Sequence, residues 1–137
     1  MTMNTANGDT VCVASEYITR GWAPIPVPAR TKKPIIDQWE KLRISEAELP
    51  EYFRPDSNIG VLNGEPSGWQ VDVDVDHPLA RDLADDFLPA TQSEFGRASA
   101  RRTHRLYVVT SPIETHQRRL PKIKGKRPMI VELRSTG

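Results

Sequence analysis

From Val71 to Asp76 the chain alternates valine with aspartate: Val71, Val73 and Val75 against Asp72, Asp74 and Asp76. A period of two is the strand period, so the valines share one face and the carboxylates the other. Asp is a poor strand former, and like charges stacked on one face repel. Such a strand either lies at an edge with its polar face in water or has a cation to place there. Other strands surround it in sequence. Asn58 to Gly64 reads as a short buried strand ending in a turn, Pro66-Ser67-Gly68 as a second turn, and Trp69 to Asp74 as the Asp strand. Alternation returns from Arg105 to Thr110, with Leu106 and Val108 on one face and Tyr107 and Val109 on the other. Pro128 to Leu133 is the last strand, apolar except for Glu132, a costly place for a carboxylate unless it is paired or binds a metal.

Helical spacing joins Val11, Ala14, Tyr17 and Ile18, predicting a helix from Thr10 to about Arg20 with Gly21 as its stop. Residues 1–9 are small and polar and are expected to form a disordered tail. Between Trp22 and Pro28 three prolines alternate with apolar residues, and their missing N–H donors confine that strand to an edge. Thr31-Lys32-Lys33-Pro34 is a basic turn, after which Ile35, Ile36 and Trp39 are expected to pack on the core. Ser45-Glu46-Ala47-Glu48 has the form of a capping box opening a short helix toward Phe53. Asp76-His77-Pro78 opens another helix, with Asp76 near its cap and Leu79, Leu83 and Phe87 as its inner stripe. From Thr91 the chain reads as a basic loop, which leaves His104 at the mouth of the next strand. The expected fold is α/β (α+β): a mixed or largely antiparallel sheet, the Asp strand central, flanked by two or three helices.

Composition narrows the class. At 137 residues the chain suits one modest domain, 10–137. A single cysteine, Cys12, excludes an internal disulfide and fits a reducing cytoplasm. No run approaches the ~18 apolar residues of a membrane span, and no secretion signal is present. The net charge of +1 hides an asymmetry. Asp72 to Glu94 carries seven acids against Arg81 alone, whereas Arg97 to Arg134 carries eleven Lys or Arg against Glu114 and Glu132. Acids that suit Mg²⁺ or Mn²⁺, next to a basic surface, point to a polyphosphate or nucleic-acid substrate. His104, directly after Arg101-Arg102-Thr103, is a candidate phosphate contact. His77 reads as a helix-start residue, and His116 lies in a polar segment without such company.

An Asp-x-Asp strand, a His near a strand start and an acid in a late strand form an ordered set. With it go Tyr17, Gly21-Trp22, Pro26, Lys32-Lys33-Pro34, Trp39, Asn58-Ile59-Gly60-Val61, Gly64, Thr103-His104-Arg105-Leu106-Tyr107 and Val131-Glu132. This set resembles the N-terminal domain of bifunctional DNA primase/polymerases, in the archaeo-eukaryotic primase superfamily. The resemblance implies an RNA-recognition-like catalytic core and template-directed nucleotidyl transfer in plasmid, phage or mobile-element replication. It implies DNA template or primer and nucleoside triphosphates as partners, and a helicase in the same or a neighbouring polypeptide. It also implies that the chain is the N-terminal portion of such a domain.

Carried onto this sequence, the resemblance makes Asp72, Asp74 and Glu132 the metal ligands, with Asp74 and Asp76 as the other register for the pair. His104, Arg102 and Arg134 would hold the triphosphate. Arg102 stands where the family has a small residue. Two divalent ions ~3.5–4 Å apart would activate the attacking hydroxyl and neutralise the leaving pyrophosphate. A metal-dependent phosphoesterase or nuclease, and an inactive nucleic-acid-binding remnant of a primase, are the alternatives.

Overall fold

The computed structural model describes residues 5–136, in two compact units. The first runs to Leu62 and takes in Pro66–Gly68; the second comprises Asn63–Glu65 and the chain from Trp69 on.

In the first unit, helix α1 (Thr5–Thr19) begins ahead of Thr10, so the expected tail is helical from Thr5, and its first four residues lie outside the described ones. Thr10 is accordingly no cap; its hydroxyl donates to the Pro55 carbonyl at 3.1 Å. Gly21 does stop the helix. With φ at +80° it lets Trp22 N–H reach Tyr17 O (2.9 Å) while its own N–H reaches Ile18 O (2.8 Å). That is the Schellman pattern, sealed by the Tyr17 and Trp22 rings edge to face at 5.1 Å. Strands β1 (Ala23–Val27) and β2 (Asn58–Leu62) pair antiparallel in a two-stranded sheet, where Pro24 and Pro26 need no second partner. β2 is less buried than expected, with only Leu62 fully covered.

The capping box forms as read. The Glu48 carboxylate accepts from Ser45 N–H (2.9 Å) and from the Ser45 hydroxyl (2.5 Å), and these bonds hold its pKa below the usual range. It opens a 3-10 turn (Glu46–Glu48) that runs into α2 (Leu49–Tyr52), whose Leu49, with Phe53 just beyond, joins Ala14 and Ile44 in the core of this unit. Ile35 does not pack as expected: it is 82% exposed, because no regular element between Pro28 and Gln38 directs its side chain inward.

In the second unit five strands form one antiparallel sheet in the order β4-β5-β3-β7-β6. They are β3 (Gln70–Val75), β4 (Glu94–Arg97), β5 (Ala100–Val108), β6 (His116–Arg119) and β7 (Met129–Arg134). The Asp strand β3 is central and buried along its whole length, which excludes a solvated edge strand. Two segments differ from expectation. Residues 94–104 form a hairpin and not a loop, so His104 lies inside β5; strand period was illegible there because Arg101, Arg102 and Arg105 are charged. Residues 116–119 also form a strand, exposed throughout, whose arginines suit an edge that must not pair further.

Helix α3 (Pro78–Phe87) follows β3, but Asp76 does not cap it. His77 is the N-cap: its Nδ1 accepts from Leu79 N–H at 3.2 Å, and Pro78 takes the first turn. The helix turns Ala84 inward, and the stripe Leu79, Leu83 and Phe87 is exposed, Phe87 at 79%. Asp85 of this helix pairs with Arg105 of β5 at 2.9 Å, linking a polar side of the helix to the sheet.

Phe53→Ala should cost about 3–5 kcal/mol in urea-induced unfolding, as a fully buried aromatic. Phe87→Ser should change stability by no more than about 0.5 kcal/mol, since it removes a side chain that packs on little.

Candidate active site

Strand register builds the site. Asp74 lies directly opposite His104 on β5 and Glu132 on β7, and the row continues to Phe95 on β4 and Gln117 on β6. Directly opposed residues of antiparallel strands share a face. One row therefore carries an aromatic ring, an imidazole, two carboxylates and an amide. Asp72, two residues before Asp74, lies on the same face opposite Leu106 and Arg134. Asp76 lies past the end of β3 and is exposed.

The charges on this face compensate one another. His104 Nδ1 is 2.9 Å from Asp72 Oδ2, and its Nε2 is 3.7 Å from Asp74 Oδ1. Arg134 stands among all three carboxylates: 2.7 Å from Asp74 Oδ2, 2.8 Å from Glu132 Oε2 and 3.8 Å from Asp72 Oδ2. At an effective dielectric near 20, unit charges ~4 Å apart interact by about 4 kcal/mol. Buried acids this close are not tolerated without such partners. Gln117 Nε2 donates to the other Glu132 oxygen at 2.5 Å.

Each pKa follows from this layout. The bond to Asp72 raises His104 above the ordinary imidazole value, against the opposing effect of burial. Burial raises Asp74, and the attraction of His104 and Arg134 does not fully offset it. For Glu132 burial pushes upward, but the hydrogen bonds from Arg134 and Gln117 win and its pKa is lowered.

The structure does not bring Arg102 into this cluster. Its guanidinium grips Asp85 of α3 at 2.8 and 3.1 Å and Glu94 of β4 at 2.5 Å. The cause is local. Arg102 has φ at +59°, which breaks the strand alternation and turns it to the α3 side together with Arg105. Two further residues at the front face were not singled out from sequence. Phe95, half exposed, stacks on His104 with ring centroids 4.5 Å apart and planes 4° from parallel; Gln117 holds Glu132. An aromatic in a Phe-Gly-Arg stretch was the visible signal for the first; Gln117 gave none.

Asp72, Asp74 and Glu132 are hard oxygen donors of the kind that suit a divalent cation. Among the described residues, no three His, Cys, Asp or Glu side chains are grouped so that they could hold a metal as they stand. The Arg134 guanidinium stands close to all three carboxylates, and its side chain is 41% exposed. The donor set fits a cation, and in this structure the Arg134 guanidinium lies among its oxygens.

The sequence profile of the N-terminal domain of bifunctional DNA primase/polymerases matches residues 14–137. No curated protein and no solved structure gives a significant match. No helix among the described residues is long and apolar enough to cross a membrane.

In the metal-free chain, an NMR titration of the His104 ring should show a midpoint above that of an ordinary imidazole. With the folded value above the unfolded one, the bond to Asp72 stabilises fully below the unfolded pKa, ~6.5. That stability is lost as pH rises through the folded value. Asp72→Asn should bring the midpoint down; an unchanged midpoint would break the assigned bond.

Proposed function

Because the chain belongs to the bifunctional DNA primase/polymerase N-terminal family, whose chemistry is nucleotidyl transfer on DNA, we propose that the front face of the five-stranded sheet is its nucleotidyl-transfer site. The observation that carries this reading is the register: residues 72, 74, 104, 132 and 134 lie on one face of three adjacent strands.

In this reading Asp72, Asp74 and Glu132 hold Mg²⁺ or Mn²⁺. The bound ions supply charge neutralisation for phosphate oxygens and acidify the attacking hydroxyl. The chain's own groups do the rest. Asp72 accepts from His104 Nδ1–H, which fixes the ring and favours its protonated form, the form in which Nε2–H also donates, to a triphosphate oxygen. Arg134, once displaced from the carboxylates, offers a planar fork to the same phosphates without losing its charge. Phe95, exposed on one side and stacked on His104 on the other, provides a flat apolar surface for a base beside the triphosphate. Arg118 and Arg119 on the exposed β6 edge are suited to the backbone of a template. Arg102 has no part at this face.

Primer extension with labelled primer, template, dNTPs and Mn²⁺ tests the reading. Asp72→Asn and Asp74→Asn should each lower nucleotide addition by more than about a hundredfold, with circular dichroism unchanged. If both variants extend as the parent does, the assignment is wrong. Shortening of the primer in place of lengthening would identify a phosphoesterase. Arg134→Gln should strengthen Mn²⁺ binding to the chain while weakening dNTP binding, because it removes the resident cation and a phosphate contact together.

A further inference from the structure

The back of the same sheet carries a second basic feature that the front-face chemistry leaves unused. A cleft of about 310 Å³ lies between the start of α3 and the β4–β5 hairpin, lined by Arg81, Asp82, Ser99, Arg101, Arg102 and Arg105 among others. It is on the opposite face from the acids, since Arg105 is paired with Val73 and lies one residue along from His104. Four of its lining residues are arginines and one is an acid.

Two of these arginines are accounted for. Arg102 and Arg105 share Asp85, and Arg102 also holds Glu94. Arg81 and Arg101 have no ion pair among the described residues, although helix and strand bring both to one cleft. Arg105 carries a second signal. Its side chain is 3% exposed, and its Nε–H has no acceptor. A buried donor left without a partner is costly, and an acceptor that arrives with a ligand removes that cost.

We propose that this cleft binds a phosphate group. Guanidiniums from α3 and from β5 approach one space from different sides, and a tetrahedral anion with several acceptor oxygens satisfies them where a planar carboxylate offers two. Arg105 forms the floor, Arg81 and Arg101 supply the uncompensated charge, and Asp85 keeps Arg102 and Arg105 in place. The phosphate is either free, as in pyrophosphate, or part of a nucleic-acid backbone. The inference does not rest on the front-face assignment, because none of these residues belongs to it.

Binding without divalent metal separates the two sources. Pyrophosphate is titrated calorimetrically, and a 5′-labelled single-stranded oligonucleotide is followed by anisotropy. The full chain is compared with R81Q/R101Q and with K122Q/K124Q, which makes the same charge change in an exposed segment away from the cleft. R81Q/R101Q should weaken one or both ligands by about tenfold, with its thermal midpoint unchanged, while K122Q/K124Q stays within about twofold of the parent. An effect on pyrophosphate alone identifies a free-phosphate site; an effect that includes the oligonucleotide identifies a backbone site. Parent-like binding of both ligands by R81Q/R101Q, or equal weakening by K122Q/K124Q, overturns the proposal.

Discussion

Two buried carboxylates stand side by side on the central strand of a sheet, and everything else in the second unit is arranged so that this is tolerable. Asp72 and Asp74 are nearly inaccessible to water, and neither is isolated. His104 comes from one neighbouring strand and Arg134 from the other, and between them they answer both acids and Glu132 as well. Removing one charge from such a set leaves its opposite uncompensated in a poorly solvated place. The registers β3–β5 and β3–β7 are therefore fixed by charge as well as by the valine face. A slip of one residue would put His104 and Glu132 opposite valine.

That neutralised state explains how a chain with three carboxylates on one sheet face can fold. The Arg134 guanidinium lies among the three carboxylates, and its side chain is 41% exposed. The family to which the chain belongs works on phosphate-rich substrates, and both faces of this sheet present charge suited to them. Strand β5 serves both. His104 points to the acids, and Arg105 to Asp85 and the back cleft. The left-handed residue Arg102 between the hairpin turn and His104 decides which arginines go where.

The exposed stripe on α3 illustrates how a local pattern misleads. Leu79, Leu83 and Phe87 have helical spacing, and spacing alone says that they are buried. Asp85, on the same helix, pairs with two arginines of the sheet hairpin, and in that orientation Ala84 faces inward. Nothing near Asp85 in the sequence announces partners that lie in the chain beyond it.

What the sequence by itself determined was whatever depends on neighbours along the chain. The face shared by Asp72 and Asp74, the capping box at Ser45, the stop at Gly21 and the proline-marked edge strand all follow from spacing of two to five residues. The places of His104 and Glu132 came from the resemblance carried by the ordered motif set, whose members are far apart in the chain. Tertiary structure alone decided the rest. The pairing of Asp74 with both His104 and Glu132, the insertion of Arg134 among three acids and the diversion of Arg102 to Asp85 are contacts between distant parts of the chain. The two charged strands were invisible for the same reason: strand periodicity is written in apolar residues, and these strands are held by backbone register, the Glu94–Arg102 ion pair and the Gln117–Glu132 hydrogen bond.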